Sequence, residues 1–221
     1  MIESLGGDSL ATPEFHKLEK EGLLFTEFYA TANRSQQAMA SLYSGLPGLP
    51  ITTLTDHPEK YPSVASMVKT LNQEEYSTSF TFGGQLIYGN MKSYFVFNEF
   101  DLLVEQGDIS EDYPEGKLGI HDEFMFEYFE NQINGLEAPF FSGLFTLSSH
   151  SPYDFPGPKP LNHIELENDF INSVHYTDKW LGHFFSEAKQ KAYWDSTLFI
   201  VMADHSHNTH KNHPIWSFDY R

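Results

Sequence analysis

Two hydrophobic periods run through this chain. Short apolar runs that stop abruptly at polar residues read as buried strands of a parallel sheet, and stretches with apolar residues every three or four positions read as the helices that cover it. The run from Ser196 to Ala203 is apolar and partly β-branched and ends in Asp204-His205-Ser206-His207. It predicts a buried parallel strand that delivers polar side chains to its carboxyl edge, where open α/β sheets keep their active sites. Three further runs behave alike: Leu23 to Ala30 leads into Thr31-Ala32-Asn33-Arg34-Ser35, Tyr76 to Phe82 is broken by Gly83-Gly84, and Pro139 to Leu147 runs into Ser148-Ser149-His150. Met1-Ile2 reads as the tail of a strand leaving through Glu3-Ser4-Leu5-Gly6-Gly7.

Between these runs the helical period predicts a helix from Pro13 to Gly22, with Thr12 as N-cap, Pro13 at the first position and Gly22 as the stop. Further helices are expected over Gln36 to Tyr43, Pro62 to Leu71, Asn90 to Phe95, Phe124 to Ile133, and from Asn168 through Phe185. Asp122 stands at the mouth of its helix as a cap or structural anchor, and Trp194-Asp195 is a turn. The acidic stretch from Glu105 to Glu115 reads as a solvated loop. The alternation predicts an α/β fold with a central, mainly parallel sheet and helices on both faces. An interrupted strand at Met1 and the arrest at Tyr220-Arg221 lead us to expect a domain over residues 1–221 that is truncated at both ends.

Composition narrows the function. With 221 residues the chain can bury a substantial core, and 20 Phe and 12 Tyr supply it. The 31 acidic residues against 13 basic ones give a formal charge of -18, which argues against a nucleic-acid partner. It also repels anionic substrates unless a metal ion or a local basic group reverses the sign at the site. The absence of cysteine excludes disulfides and thiolate metal sites. No run approaches the roughly 18 apolar residues of a membrane span.

Candidate chemistry gathers at the predicted strand exits. Glu3, Ser35, His150 and the Asp204-His205 pair all fall there, and four exits each presenting a ligand or nucleophile type point to one site. A serine at a helix mouth is commonly an N-cap; alternatively Ser35 is a nucleophile placed where the helix dipole favours an anionic group. Asp204-His205 is either a metal-ligand pair or a polar loop after a core strand. The histidines of the tail, His205, His207, His210 and His213, are either metal-binding or solvent-exposed; His207 is a candidate substrate or outer contact, and the last two carry no role.

Taken in order, Glu3-Ser4-Leu5-Gly6, Asn33-Arg34-Ser35, Ser44-Gly45-Leu46-Pro47, Phe145 to Tyr153, Tyr176-Thr177-Asp178, and Thr197-Leu198-Phe199 with Ala203-Asp204-His205 resemble the lipoteichoic acid synthase and phosphoglycerol transferase group, within the sulfatase-like branch of the alkaline phosphatase superfamily. The resemblance implies one divalent ion, manganese first and magnesium or zinc as alternatives, held by Glu3, Ser35, Asp204 and His205. It further implies a covalent intermediate on Ser35, with His150 contacting the transferred group; Asn90 and His207 complete the candidate substrate contacts. The implied substrate is an anionic phospholipid or glycan head group. The implied location is the extracytoplasmic face of the cell membrane, to which preceding transmembrane helices would attach the domain. Three departures stand out: the synthases have threonine at Ser35, a histidine near Phe82, and a Trp-Arg pair near Tyr88-Gly89-Asn90. Sulfatases proper follow the nucleophile with x-Pro-x-Arg, whereas Ser35 precedes Gln36-Gln37-Ala38-Met39. Phosphorus esters are therefore expected over sulfate esters, with a sulfuric ester hydrolase or a catalytically silent anion binder as the alternatives.

Overall fold

The computed structural model describes residues 1–109, 111–162 and 167–206. Its sheet has three strands, β1 (Ser77–Phe82), β2 (Leu102–Val104) and β3 (Phe140–Phe145), in the order β2-β1-β3, and both pairings are parallel. Among the described residues six α-helices surround it: α1 (Pro13–Glu21), α2 (Ser35–Ser44), α3 (Met67–Gln73), α4 (Met91–Phe97), α5 (Asp122–Asn134) and α6 (Asn168–Ala188).

The strand period sorts side chains onto two faces. Phe80 and Phe82 of β1 pack with Met39, Ala40 and Tyr43 of α2, Val68 of α3 and Tyr94 and Phe95 of α4, and Phe141 and Phe145 of β3 join them. Phe140 and Leu144 of β3 face the other way, onto Phe126, Phe129 and Ile133 of α5 and Phe184 and Phe185 of α6. Beneath α5 the sheet face is polar. Thr81 donates to Gln132 Oε1 at 2.8 Å, Gln132 Nε2 donates to Ser79 Oγ at 3.0 Å, and Ser79 and Ser142 share a hydrogen bond of 2.6 Å across the strands. Each buried hydroxyl thus has a partner, and the strip adds register to an otherwise apolar interface. The α/β architecture with helices on both faces is the one expected.

Several local expectations are corrected. Leu23 to Ala30 joins no strand ladder, and Leu23, Phe25 and Phe28 are exposed. The run 196–203 is likewise not a strand: a single helical turn, Trp194–Ser196, leads into irregular backbone on which Leu198 is 84% and Ile200 74% exposed. Only Phe199 of this run is packed, between Phe185 and Trp194. Apolar sequence alone does not make a strand; a ladder partner is also needed, and neither run meets one among the described residues. Met1-Ile2 precedes a 3₁₀ turn, Glu3–Leu5. The helix expected from Pro62 starts at Met67 instead, after a 3₁₀ segment Pro58–Ser63, because Ser66 accepts from Lys69 N–H and caps it. The strand β2 was not anticipated, being three residues long.

Capping also differs from the local reading. Thr12 does not cap α1; its hydroxyl donates to the Met1 carbonyl. The cap comes from α6, where Asp178 accepts from the N–H groups of Glu14 and Phe15, both at 2.8 Å. Asp122 is fully buried and anchors the exit of β3, as its position suggested. One carboxylate oxygen accepts from the N–H groups of Leu147 and Ser148, and the other from the Thr177 hydroxyl.

Candidate active site

Ser35 is the first residue of α2, not its N-cap, which is Arg34 in extended conformation. Ala38 and Met39 lie one turn on and Leu42 two turns on, so with Ser35 they form the stripe of α2 that borders a large cleft. Gly45, at φ 68°, ends the helix in the left-handed region that a residue with a Cβ enters only at a cost. Gln37 and Ala38 N–H donate to the Arg34 carbonyl, both at 3.0 Å, which leaves the N–H groups of Ser35 and Gln36 without an acceptor in the helix; with the helix dipole they favour negative charge near Ser35.

The Ser35 hydroxyl donates to Asp204 Oδ2 at 2.7 Å and lies 3.4 Å from His205 Nε2, although 169 and 170 residues separate these partners in sequence. The His205 N–H donates to Asp204 Oδ1 at 2.9 Å, which fixes the carboxylate. The His205 ring donates from Nδ1 to the Ser206 carbonyl at 2.8 Å. That bond assigns the ring proton to Nδ1 and turns the lone pair of Nε2 inward. There it faces Asp204 Oδ2 at 3.3 Å. Two acceptors facing each other need a cation between them or a second proton on the ring. The buried Ser206 Oγ has no hydrogen-bond partner among the described residues. Oxygen, oxygen and imidazole donors in this arrangement fit a hard or borderline divalent ion.

The other candidates are placed as follows. Glu3 points to His16, with 3.6 Å between Oε2 and Nδ1, and Glu19 pairs with the same nitrogen. Among the described residues no three His, Asp or Glu side chains gather closely enough to hold a metal ion, so Glu3 stands apart from Asp204 and His205. The 3₁₀ turn carries its carboxylate toward α1. His150 is exposed at the exit of β3; its Nδ1 donates to the Ser151 carbonyl at 2.7 Å, and Nε2 has no hydrogen-bond partner among the described residues. It borders the same cleft as Ser35, Asp204 and His205. Asn90 donates to Asp56 Oδ1 at 2.8 Å and is not among the cleft residues, but the Tyr88–Asn90 turn abuts α2, since a Cβ on Gly89 would lie 3.1 Å from Gln36. His207, His210 and His213 lie outside the described residues.

The cleft extends well beyond these side chains. It has a volume of about 3650 Å³ and is bordered by β3, the 23–31 segment and the 196–206 segment. Near its floor burial pushes the Tyr43 phenol well above its usual range, with a smaller contribution from Tyr94. Lys117, two residues beyond the acidic stretch 105–115 and given no role in the sequence reading, also borders this cleft.

Comparison with known proteins places the fold. The lipoteichoic acid synthase-like protein YvgJ of Bacillus subtilis (strain 168) is 24% identical over 92% of this chain, which spans 34% of that relative. Among solved structures, an alkaline phosphatase superfamily protein from Vibrio parahaemolyticus superposes with a TM-score of 0.83 at 35% identity, covering 92% of this chain and 50% of that one. The lipoteichoic acid synthase LtaP of Listeria monocytogenes gives a TM-score of 0.69 at 24% identity, covering 84% of this chain and 48% of that one. The chain therefore spans about a third of the curated relative and half of each solved structure. The family model described as Sulfatase matches residues 2–217. With that match running almost the full length, and with the parallel sheet and helical layers shared with the Vibrio structure, the chain belongs to the sulfatase family and has an alkaline phosphatase superfamily fold.

Proposed function

We propose that residues 1–221 form part of the catalytic domain of a metal-dependent phosphoryl-group transferase or phosphodiesterase acting through a covalent Ser35 intermediate. The observation that carries this reading is the Ser35 Oγ to Asp204 Oδ2 hydrogen bond of 2.7 Å, with His205 Nε2 at 3.4 Å. A hydroxyl so held, at the start of a helix, has the surroundings a nucleophile for an anionic ester requires.

Ser35, Asp204 and His205 would hold the divalent ion, manganese first and magnesium or zinc as alternatives; Glu3 would join them only by leaving His16. Such an ion lowers the pKa of a coordinated hydroxyl and offsets charge on phosphoryl oxygens. Asp204 orients the Ser35 hydroxyl through the existing hydrogen bond. Ser35 Oγ then bonds to phosphorus as the bond to the departing alcohol breaks, and the serine proton leaves on that alcohol. In a second displacement an alcohol or water bonds to phosphorus, the bond to Oγ breaks, and the hydroxyl is restored. The N–H groups of Ser35 and Gln36 and the dipole of α2 favour the charge on the bound phosphoryl group. His150 Nε2, its other nitrogen engaged by Ser151, contacts that group from the β3 side.

The name of YvgJ, lipoteichoic acid synthase-like, supports a substrate of the cell envelope; we extend this to a phosphoglycerol-like or phosphoethanolamine-like head group on an envelope lipid or glycan, in an extracytoplasmic setting at the membrane. No helix among the described residues is long and apolar enough to cross a membrane. The test is turnover of bis(para-nitrophenyl) phosphate with added Mn²⁺, beside para-nitrophenyl sulfate. Loss of turnover in Ser35→Ala, with Mn²⁺ binding retained and a phosphoryl adduct on Ser35 in the quenched parent, is the expected result. Undiminished turnover in Ser35→Ala would sink the covalent mechanism, and preference for the sulfate would make the protein a sulfuric ester hydrolase.

A further inference from the structure

A chain with formal charge -18 repels the anion its cleft would accept, unless a cation stands at the entrance. Two lysines border the cleft, Lys117 and Lys191. Lys191 is neutralised by Glu130 at 2.6 Å. Lys117 makes no ion pair among the described residues and is exposed.

The turn that carries Lys117 is fixed at three points. Gly116 N–H donates to the Gly119 carbonyl at 2.8 Å, Ile120 N–H donates to the Gly83 carbonyl at 2.8 Å, and the N–H of Lys117 itself donates to Asp154 Oδ2 at 3.0 Å. Gly119 has φ 145°, and a Cβ there would come within 2.1 Å of the Gly83 oxygen. Only glycine lets the turn lie this close to the exit of β1. The turn is thus held between the exit of β1 and the segment after β3, and Lys117 and His150 border one small niche with Ser148 and Asp154. Asp154 is partly occupied by the Lys117 N–H. Glu115 also borders the cleft and Asp154 the niche, so Lys117 supplies the lysine charge that partly offsets these two carboxylates.

We propose that Lys117 is a specificity-determining residue that draws a phosphate-bearing substrate into the cleft and binds its anionic group beside His150. The proposal rests on the phosphoryl-transfer reading of the site. Its role is recognition, not chemistry at phosphorus, so it acts on KM and on association more than on kcat.

The test compares Lys117→Ala, Lys117→Arg and Lys117→Glu with Lys20→Ala, which removes an equal charge from the end of α1. With bis(para-nitrophenyl) phosphate and Mn²⁺, Lys117→Ala raises KM about tenfold, the loss expected for one charge-assisted hydrogen bond, while kcat changes less than about twofold. Lys117→Arg restores most of the loss, Lys117→Glu deepens it, and the fall of kcat/KM with added salt becomes shallower in Lys117→Ala than in the parent. Calorimetric binding of inorganic phosphate to the Mn²⁺-loaded chain follows the same order. Equal behaviour of Lys117→Ala and Lys20→Ala, an effect confined to kcat, or no phosphate binding by the parent overturns the proposal. Lys117-dependent phosphate binding without any turnover retains it and rejects phosphoryl transfer instead.

Discussion

Asp178 of α6 holds the first turn of α1 with both carboxylate oxygens, one on Glu14 N–H and one on Phe15 N–H, each at 2.8 Å. The cap that a helix usually draws from its own preceding residue is supplied here across 164 residues. It is therefore a tertiary contact as well as a cap, fastening the N-terminal helix to the longest helix of the chain. Asp178→Ala should cost about 1–2 kcal/mol, the upper part of the range for a lost cap, because two N–H groups lose their acceptor together. Urea unfolding followed by far-UV circular dichroism measures this, and Thr12→Ala should lose markedly less.

Asp122 is a second buried carboxylate with a structural task. Burial pushes its pKa up, while donation from Leu147, Ser148 and Thr177 opposes that rise. Asp122→Ala leaves three donors without an acceptor in a site closed to solvent, so a loss of about 3 kcal/mol is expected. Since Leu147 and Ser148 form the exit of β3, hydrogen exchange of amides 146–150 should quicken in Asp122→Asn even under conditions where the variant stays folded.

Ser35→Thr keeps a hydroxyl at the start of α2. Within the proposed mechanism it retains turnover to within about tenfold of the parent, whereas Ser35→Ala falls to background, a loss of several powers of ten for a group that forms the covalent bond. Asp204→Asn should also lose most turnover, since the amide presents only one acceptor oxygen to Ser35 and the backbone N–H of His205. Steady-state rates on the chromogenic diester distinguish these outcomes.

Alkaline pH gives a test independent of activity. Burial raises the phenols of Tyr43, Tyr94 and Tyr176, and pushes Tyr153 up to about 12, with Glu167 adding to the rise at Tyr153 and Glu123 to that at Tyr176. A group whose folded pKa is raised binds its proton more tightly in the folded state. These tyrosines therefore contribute full stability below about pH 10, the unfolded value, and the contribution is lost as pH rises through the folded values. Tyrosinate absorbance near ~295 nm should show a first group titrating near pH 10 and a second group, including these four, appearing together with unfolding. A single smooth titration of all tyrosines near pH 10 would contradict the burial described above.

The sequence made the layered architecture legible because β1, β3, α2, α5 and α6 each carry a clear period. Elements that depend on a partner were not legible. The apolar runs at 23–30 and 198–202 look like strands by composition, but strand formation is decided by a neighbouring ladder. Within the site, Asp204, His205 and Ser35 do converge. Glu3 illustrates the limit: one 3₁₀ turn rotates its carboxylate onto His16, and nothing in the spacing of residues signals that rotation. Lys117 was invisible for a related reason. Charge runs such as 105–115 read as uniform solvated segments, and only the Gly83 and Asp154 contacts reveal that the turn just after this one is held rigidly at the sheet edge.

The union of Ser35 with Asp204 spans 169 positions, so the two groups meet only when segments near opposite ends of the chain are brought together. Closing so long a loop is entropically slow compared with forming α2 or β1 locally. Burial of the aromatic layer should therefore precede acquisition of catalytic competence during refolding. A protease nick in the exposed stretch around Pro156 to Pro160 would leave both layers of helices standing while severing the covalent tether between nucleophile and carboxylate.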